Sequence, residues 1–490
     1  MPQKITPYST NNPRRIIMRP GLITFTLLVL IALGCSSEKH LPPNILFISV
    51  DDLRPELGCY GVSQIITPNM DRLAKEGAVF LNSYANVPVC GASRASLLTG
   101  LRPAGKVTLR GYKCRSDASA AEFKTLPEYL KQNGYYTISN GKMMHVQDDS
   151  PQAWSEPAWR ASTNRDASIH FYNTYDDWVN PISGHNLKPF GRKEVGPFYE
   201  SADVADEAYH DGQVCIKTID DIKRMAKSDK PFFLACGFWR PHLPFNAPKN
   251  YWELYDRDKI NLANNRFKPK NLTNLHSSQE LLNKYAANEG FPTDENFHKL
   301  SKHAYYASVS YIDALVGKLM QALKENGLEE NTIVVLWGDH GFHLGEHNLW
   351  GKHNMMNVSL KAPLLIKYPG KAGLRLTQLT DFIDIYPTLC EMVNLPIPEH
   401  CEGKSLQNII ENPTMEHKDA LFMAYGNKYS IKTKQYLYTA QMTKDSSFTK
   451  IMLFDHKRDP QENINVLANP DYKSVVDQLH KKLYSTLFEK

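Results

Sequence analysis

Asn44-Ile45-Leu46-Phe47-Ile48-Ser49-Val50-Asp51-Asp52 is an almost unbroken apolar run that ends on two carboxylates. A run without polar alternation predicts a strand buried on both faces, as in a parallel sheet covered by helices. Pro231 to Phe238 and Asn331 to Trp337 have the same character, and Tyr135 to Ser139 and Ala362 to Lys367 read as further strands. Helical patterns lie between them. Thr67-Pro68 opens one as cap and first-turn proline, with Gly77 as its stop; Thr125-Leu126-Pro127 opens another, ended by Gly134. A third runs from about Asp206 to Met225. A fourth carries Tyr305, Val309, Ile312, Val316, Leu319 and Leu323 on one stripe and stops at Gly327. Strands alternating with helices predict an α/β fold: a large, mostly parallel sheet flanked by helices on both faces. Beyond Cys401 the pattern changes to short strands (Tyr429 to Lys432, Gln435 to Thr439, Ile451 to Phe454) and a terminal helix. The expected organisation is a large domain over 44–400 and a small C-terminal antiparallel α+β subdomain over 401–490.

The first 35 residues read as a targeting segment. Lys4, Arg14, Arg15 and Arg19 precede an apolar run from Leu22 to Leu33, too short to span a bilayer comfortably. Gly34-Cys35-Ser36-Ser37 resembles a bacterial lipoprotein box with Cys35 acylated, and ordinary signal-peptidase cleavage is the alternative. Both predict an exported protein, periplasmic or membrane-anchored in a bacterium, touching membrane only through a lipid at Cys35. Residues 36–43 read as a linker. The formal charge is +5, but the targeting segment carries four basic and no acidic residues, which leaves the remainder near +1. That excludes a global basic field, and with it nucleic acid as a partner. Cys59, Cys114, Cys215, Cys236, Cys390 and Cys401 show no zinc-type spacing. Export permits disulfides. Cys390 and Cys401 flank a proline-rich turn and read either as a bridge or, like the others, as small core residues.

Chemistry-bearing residues follow the strands. Asp51 and Asp52 leave the first, Lys142 and His145 a second, His242 a third, Asp339 and His340 a fourth. Ligands of open α/β sheets bind at the C-terminal strand edge. Three carboxylates gathered there repel unless a cation sits among them, and oxygen ligands favour calcium or magnesium.

Val89-Cys90-Gly91-Ala92-Ser93-Arg94-Ala95-Ser96-Leu97-Leu98-Thr99-Gly100 reads as a short helix with Cys90 at its N-terminus and Gly100 as the stop. Cys90 and Arg94 share a face, and the helix terminus and the guanidinium both favour an anionic substrate. Cys-x-Ala-Ser-Arg followed by Leu-Thr-Gly resembles the signature of the type I sulfatases, of the alkaline phosphatase superfamily. Ala92 stands where many members have proline. Asp51-Asp52-Leu53-Arg54-Pro55 through Leu57-Gly58-Cys59-Tyr60-Gly61 resembles the iduronate-2-sulfatase branch. So does Pro231-Phe232-Phe233-Leu234-Ala235 continuing to Pro241-His242-Leu243-Pro244-Phe245. Leu453-Phe454-Asp455 with Asp459-Pro460-Gln461-Glu462 resembles the closing motif of sulfatases.

The resemblance implies that a maturation enzyme converts Cys90 to formylglycine. It implies calcium held by Asp51, Asp52, Asp339, His340 and the modified Cys90. Arg94 and calcium would hold the formylglycine hydrate, and one of its hydroxyls would attack the sulfur of a sulfate ester. Lys142, His145 and Lys352 would clamp the sulfate, and His242 would protonate the leaving sugar oxygen. His347 reads as loop support. Residues 146–200 are expected to form part of the substrate rim, and residues 245–300 are again loop-rich. The implied substrate is a sulfated oligosaccharide, with the 2-O-sulfate of a uronic acid in glycosaminoglycan fragments as the expected target and Arg240 as a partner for its carboxylate. The rival readings are a sulfatase of another glycan position, a phosphoester or phosphonate hydrolase of the same superfamily, and, from a different class, an unmodified surface glycan-binding protein.

Overall fold

A computed structural model of the protein describes residues 42–103, 123–145, 150–161, 188–190, 193–195, 197–272, 280–281, 285, 294–445 and 447–488. The targeting segment, Cys35, most of the linker, Cys114 and most of 146–200 lie outside the described residues. Of the described residues, no helix is long and apolar enough to cross a membrane.

The main elements, numbered along the chain, are β1 (Asn44–Val50), α1 (Pro68–Glu76), β2 (Ala78–Tyr84), α2 (Cys90–Thr99), α3 (Leu126–Gln132), β3 (Tyr136–Gly141), α4 (His210–Met225), β4 (Phe232–Phe238), α5 (Glu295–Glu325), β5 (Thr332–Gly338), β6 (Leu364–Lys367), β7 (Leu374–Asp381), α6 (Ile385–Met392), β8 (Ala420–Tyr425), β9 (Lys428–Thr433), β10 (Tyr436–Met442), β11 (Phe448–Asp455) and α7 (Lys473–Phe488). Among the described residues the large sheet has seven strands in the order β7-β2-β6-β5-β1-β4-β3. β1 lies at its centre, parallel to β4 on one side and β5 on the other. Only β6 runs against the rest, antiparallel to both β2 and β5, so the sheet is mixed at one strand and parallel elsewhere.

The period-2 geometry of β1 explains why the run is apolar throughout. Leu46, Ile48 and Val50 enter a core with α1, α4 and α5, while Ile45 and Phe47 enter a second core with α2, α3 and α6. Each fully buried aliphatic or aromatic side chain contributes roughly 1.5–3 kcal/mol, so β1 stabilises both layers at once.

Several local readings change on contact with the tertiary structure. Thr67 does not cap α1: its Oγ1 accepts from Gly58 N at 3.0 Å. Asp313 of α5 caps instead, accepting from Asn69 N at 3.1 Å and Met70 N at 2.7 Å. The helix expected from Asp206 begins at His210, behind a 3-10 turn over Asp206–Ala208. α5 starts at Glu295, ten residues ahead of its apolar stripe, where the Asp294 side chain accepts from Asn296 N. Cys390 and Cys401 are both free thiols, so the bridge reading is not realised and the small-core reading holds for buried Cys390. Gly100 does end α2, at φ 69°, and a Cβ there would meet Cys401 Sγ at 3.0 Å.

The C-terminal strands form an antiparallel meander, β8-β9-β10-β11. One face packs on α7 through Ile431, Tyr438, Leu453, Val476 and Leu483. The other packs on the large sheet's flank: Leu421, Met423, Leu437 and Phe454 meet Tyr84, Met355, Met356 and Leu379. β8 was not anticipated from the sequence.

Candidate active site

Backbone hydrogen bonds carry the sheet's order past the strand ends. Asp51 N donates to Phe238 O at 3.2 Å and Asp339 N to Val50 O at 3.3 Å. The carboxylates after β1 and β5 are therefore fixed side by side. Asp52 then turns into the left-handed region, φ 61°, an uncommon conformation that aspartate tolerates better than most residues. Its amide donates to Asp339 Oδ1 at 3.1 Å. Tyr305 of α5 holds the turn from behind: its hydroxyl accepts from Arg54 N at 3.1 Å and donates to Asp52 O at 2.8 Å.

α2 delivers Cys90 and Arg94. Arg94 Nε donates to Asp339 Oδ2 at 3.0 Å, and Nη2 lies at ion-pair distance from the same oxygen, also 3.0 Å. Nη1 donates to Ser49 Oγ at 3.0 Å, to Met143 O at 3.1 Å and to Lys142 O. One buried cation thus binds α2 to the ends of β1, β3 and β5. Ser93 Oγ adds a bond to Asp339 O at 2.5 Å. Close approach of the backbone at the ends of β3 and β4 depends on Gly237, since a Cβ there would collide with the main chain of Lys142.

Lys142 pairs with Asp51 Oδ2. Burial opposes the Asp51 charge, but Lys142, with His242 and Arg94, holds its carboxyl well below the usual range. Lys352 Nζ lies 2.6 Å from Asp52 Oδ1 and 3.3 Å from Glu280 Oε2. Burial pushes the Asp52 carboxyl up despite Lys352, and the facing Asp51, Glu280 and Asp339 push the same way. The two lysines expected to clamp sulfate are thus placed as counter-ions to the paired aspartates. His145 Nδ1 is 3.3 Å from Cys90 Sγ. Burial and Lys142 push the His145 imidazole down to about 3, so it is neutral in water near pH 7.

His242 sits in a loop with cis peptides before Pro241 and Pro244. Its Nδ1 is 2.7 Å from Leu243 O, which assigns the proton to that nitrogen and turns Nε2 toward the carboxylates, 3.9 Å from Asp52 Oδ2 and 4.0 Å from Glu280 Oε1. Burial and Lys352 hold its pKa well below the usual histidine value. Arg240 is buried, 1% exposed, and its Nη1 donates to His242 O at 2.7 Å. Asp211 accepts from the amides of Trp239 and Arg240, both at 2.8 Å, and anchors the same loop. His347 is a support, as expected, with its amide on Asn265 O at 2.8 Å and Nδ1 3.3 Å from Phe267 O.

Asp51, Cys90, Asp339 and His340 each offer a ligand atom, all within 4.8 Å of one another. Asp52, the fifth expected ligand, lies beside them with Oδ1 3.5 Å from His340 Nε2. His340 Nδ1 is 3.0 Å from Gly341 O, so Nε2 carries the lone pair and faces Asp52 and Asp339 oxygens, both at 3.5 Å. Asp51 Oδ1, Asp52 Oδ2 and His340 Nε2 are buried acceptors with no hydrogen-bond partner among the described residues. Lone pairs facing one another in a dry pocket cost several kcal/mol unless a cation satisfies them. The donor set, mostly carboxylate oxygen, fits a hard divalent ion.

Glu280 was missed from the sequence. It comes from a loop-rich stretch with no motif around it, and only its contacts with Lys352 and His242 reveal it. Tyr305 was legible as core, not as a clamp on Asp52, because its apolar stripe position hides what its hydroxyl does.

A family model described as Sulfatase matches residues 43–395, and one described as N-sulphoglucosamine sulphohydrolase, C-terminal, matches residues 345–488. Iduronate 2-sulfatase of Mus musculus is 32% identical over 432 residues, 77% of this chain and 76% of that protein. Among solved structures, BT4656 in complex with its substrate D-glucosamine-2-N,6-O-disulfate matches with a TM-score of 0.67 at 22% identity, over 91% of this chain and 97% of that one. Phosphonate monoester hydrolase of Agrobacterium radiobacter matches with a TM-score of 0.69 at 22% identity, over 90% of this chain and 95% of that one. The chain belongs to the sulfatase family, the sulfuric ester hydrolases of the alkaline phosphatase superfamily.

Proposed function

We propose that this sulfatase removes the 2-O-sulfate of a uronic acid at the end of a glycosaminoglycan fragment, with Cys90 matured to formylglycine and calcium bound by Asp51, Asp52, Asp339, His340 and residue 90. The observation that carries the reading is Cys90 at the start of α2, inside the ligand group of Asp51, Asp339 and His340. The identity to iduronate 2-sulfatase over most of both chains supports the uronate 2-O position. Calcium, when bound, supplies Lewis-acid polarisation of the sulfate oxygens and of residue 90.

The chain's own groups divide the remaining work. Arg94 fixes Asp339, and through the Lys142 and Met143 carbonyls it fixes the β3 loop. Lys142 and Lys352 bring two buried positive charges to a transition state whose negative charge spreads over sulfate oxygens. His145, neutral and beside Cys90, orients residue 90. His242 Nε2 faces the site and, once protonated there while Nδ1–H stays on Leu243 O, passes that proton to the bridging oxygen. Arg240 and Asp211 stiffen that loop. The phosphonate hydrolase reading shares the fold, and the cysteine in the full signature string favours sulfate esters over it.

Intact-mass analysis of the purified protein tests maturation, with an aldehyde in place of the Cys90 thiol as the expected result. A panel of sulfated disaccharides tests the position. Preference for a sulfated hexosamine lacking uronate sulfate would overturn the 2-O assignment. Export and acylation at Cys35 are part of the same proposal, and metabolic labelling with a fatty acid, lost in Cys35→Ala, is the expected result.

A further inference from the structure

Backbone pairing continues past β3, and the continuation brings a cation to the margin of the site. Ser155 N donates to Thr137 O at 2.8 Å, Trp159 N to Ser139 O at 2.9 Å and Gly141 N to Trp159 O at 2.8 Å. Trp159 thereby pairs in parallel with Asn140 of β3. A parallel neighbour ends where β3 ends. Arg160 therefore leaves the same C-terminal edge as Lys142, the edge at which open α/β sheets bind ligands. It falls in the stretch expected at the substrate rim.

Arg160 joins two loops of the site. Its Nη2 donates to Met144 O at 2.7 Å and to His145 O at 3.4 Å, the backbone of the residue whose ring meets Cys90. Its guanidinium stands over the ring of Trp239, three residues before His242, 5.9 Å from the centroid. Its charge acts on the His145 imidazole alongside burial and Lys142. Arg94, Lys142 and Arg240 are 1% exposed or less, whereas Arg160 is half-buried.

A guanidinium presents five N–H donors in one plane, and that plane matches a carboxylate through two parallel bonds. The carbonyls and the indole orient the plane in advance, which lowers the ordering cost of binding. In a hexuronic acid the carboxylate on C5 lies across the ring from O2. With the 2-O-sulfate beside residue 90, the carboxylate falls at the margin of the site and outside the sulfate pocket.

We propose that Arg160 is a specificity-determining residue that binds the carboxylate of the uronic acid while the sulfate lies beside residue 90. The proposal rests on the uronate reading above and gives it a recognising group.

The test uses the matured full-length protein, Arg160→Met and Arg160→Lys, which keeps the charge and loses the planar fork. The substrates are a 2-O-sulfated uronate disaccharide and the same disaccharide with its carboxyl as a methyl ester. Wild type should prefer the acid about 10- to 100-fold in kcat/KM. Arg160→Met should lose that preference, chiefly through KM for the acid, and Arg160→Lys should keep part of it. Any loss from releasing the Met144 and His145 carbonyls affects acid and ester alike and cancels in their ratio. An acid-to-ester ratio in Arg160→Met equal to that of wild type would overturn the proposal and leave Arg160 a structural clamp. A wild-type protein that hydrolyses other sulfated sugars and not the 2-O-sulfated uronate would overturn the uronate reading instead. Isothermal titration with the unsulfated uronate disaccharide then decides Arg160 without turnover. Binding about 10- to 100-fold weaker in Arg160→Met is the expected result. Equal binding, or none to wild type, would overturn the assignment.

Discussion

Cys90 and His242 make separable demands on the chemistry. Cys90 is 6% exposed and opens α2, where backbone N–H groups of the first turn lack helical partners and favour negative charge. On the proposed maturation, Cys90→Ala removes the group to be converted and little else, so turnover should vanish while the melting temperature and circular dichroism stay close to wild type. A fully active protein with a free thiol at position 90 would sink the covalent route. His242 is distinguished by its leaving group. A sugar alkoxide is a poor leaving group and needs a proton, whereas nitrophenolate leaves unaided. Loss of a general acid typically costs about 10²–10⁴-fold. His242→Ala should therefore cripple hydrolysis of a sugar sulfate and spare much of the activity on nitrophenyl sulfate. His145→Ala should harm both similarly, because His145 lies on the residue-90 side at 3.3 Å from Sγ. Equal losses in His242→Ala would reassign the acid to His145.

At the scale of elements, the site depends on joints that no single segment encodes. Tyr305 reaches from α5 to clamp the left-handed Asp52 turn, and removal of its hydroxyl leaves Arg54 N and Asp52 O without that partner. Groups that orient metal ligands typically contribute 10–100-fold in affinity, so Tyr305→Phe should weaken calcium binding by about tenfold in a titration that needs no substrate. A second joint ties the C-terminal sheet to the large one. Lys418, just before β8, lies 2.6 Å from Asp381 at the end of β7 and 2.5 Å from Asp384, which also meets His417 at 3.0 Å. Burial works against the Asp384 charge, yet Lys418 and His417 hold its pKa down to about 2. Because the folded value is depressed, this acid contributes stability above the unfolded value near 3.9 that is lost as pH falls toward 2. Lys418→Met leaves two buried carboxylates facing each other and should cost about 3–5 kcal/mol at neutral pH. The deficit should shrink in acid, as a denaturant series across pH would read. Such joints mark the limit of what the chain discloses locally. The apolar runs of β1, β4 and β5 are legible because burial on both faces leaves no room for polar residues. β7, a polar edge strand, and β2, which alternates imperfectly, are not. Asp51, Asp52, Asp339 and His340 are legible because they follow those runs. Glu280 and the capping role of Asp313 are not, because only tertiary contact gives them meaning.

For the whole molecule, the cation would act as a tie as well as a catalyst. Its expected ligands come from the end of β1, the first turn of α2 and the end of β5, which are far apart in sequence and belong to the sheet and to one of its flanking helix layers. Asp51 Oδ1, Asp52 Oδ2 and His340 Nε2 are acceptors without hydrogen-bond partners among the described residues of a buried site, and Asp52 is pushed up by burial and by three neighbouring acids. Folding without a cation must therefore bear that repulsion or take up a proton, whereas the unfolded chain separates the acids. Any ion that binds only the folded state adds RT ln(1 + [L]/Kd), about 4 kcal/mol at a thousand times Kd. Chelation should accordingly lower the melting temperature and extinguish activity together. Calcium should restore both with one saturation midpoint, and zinc, whose preference is for nitrogen and sulfur ligands in a tetrahedral set, should restore neither. Asp52→Ala should melt lower than wild type in calcium and respond less to chelator, since one acceptor and one repulsive charge leave together. Identical melting of the chelated and calcium-loaded proteins, measured by calorimetry, would show that the acids are balanced by Arg94, Lys142 and Lys352 alone.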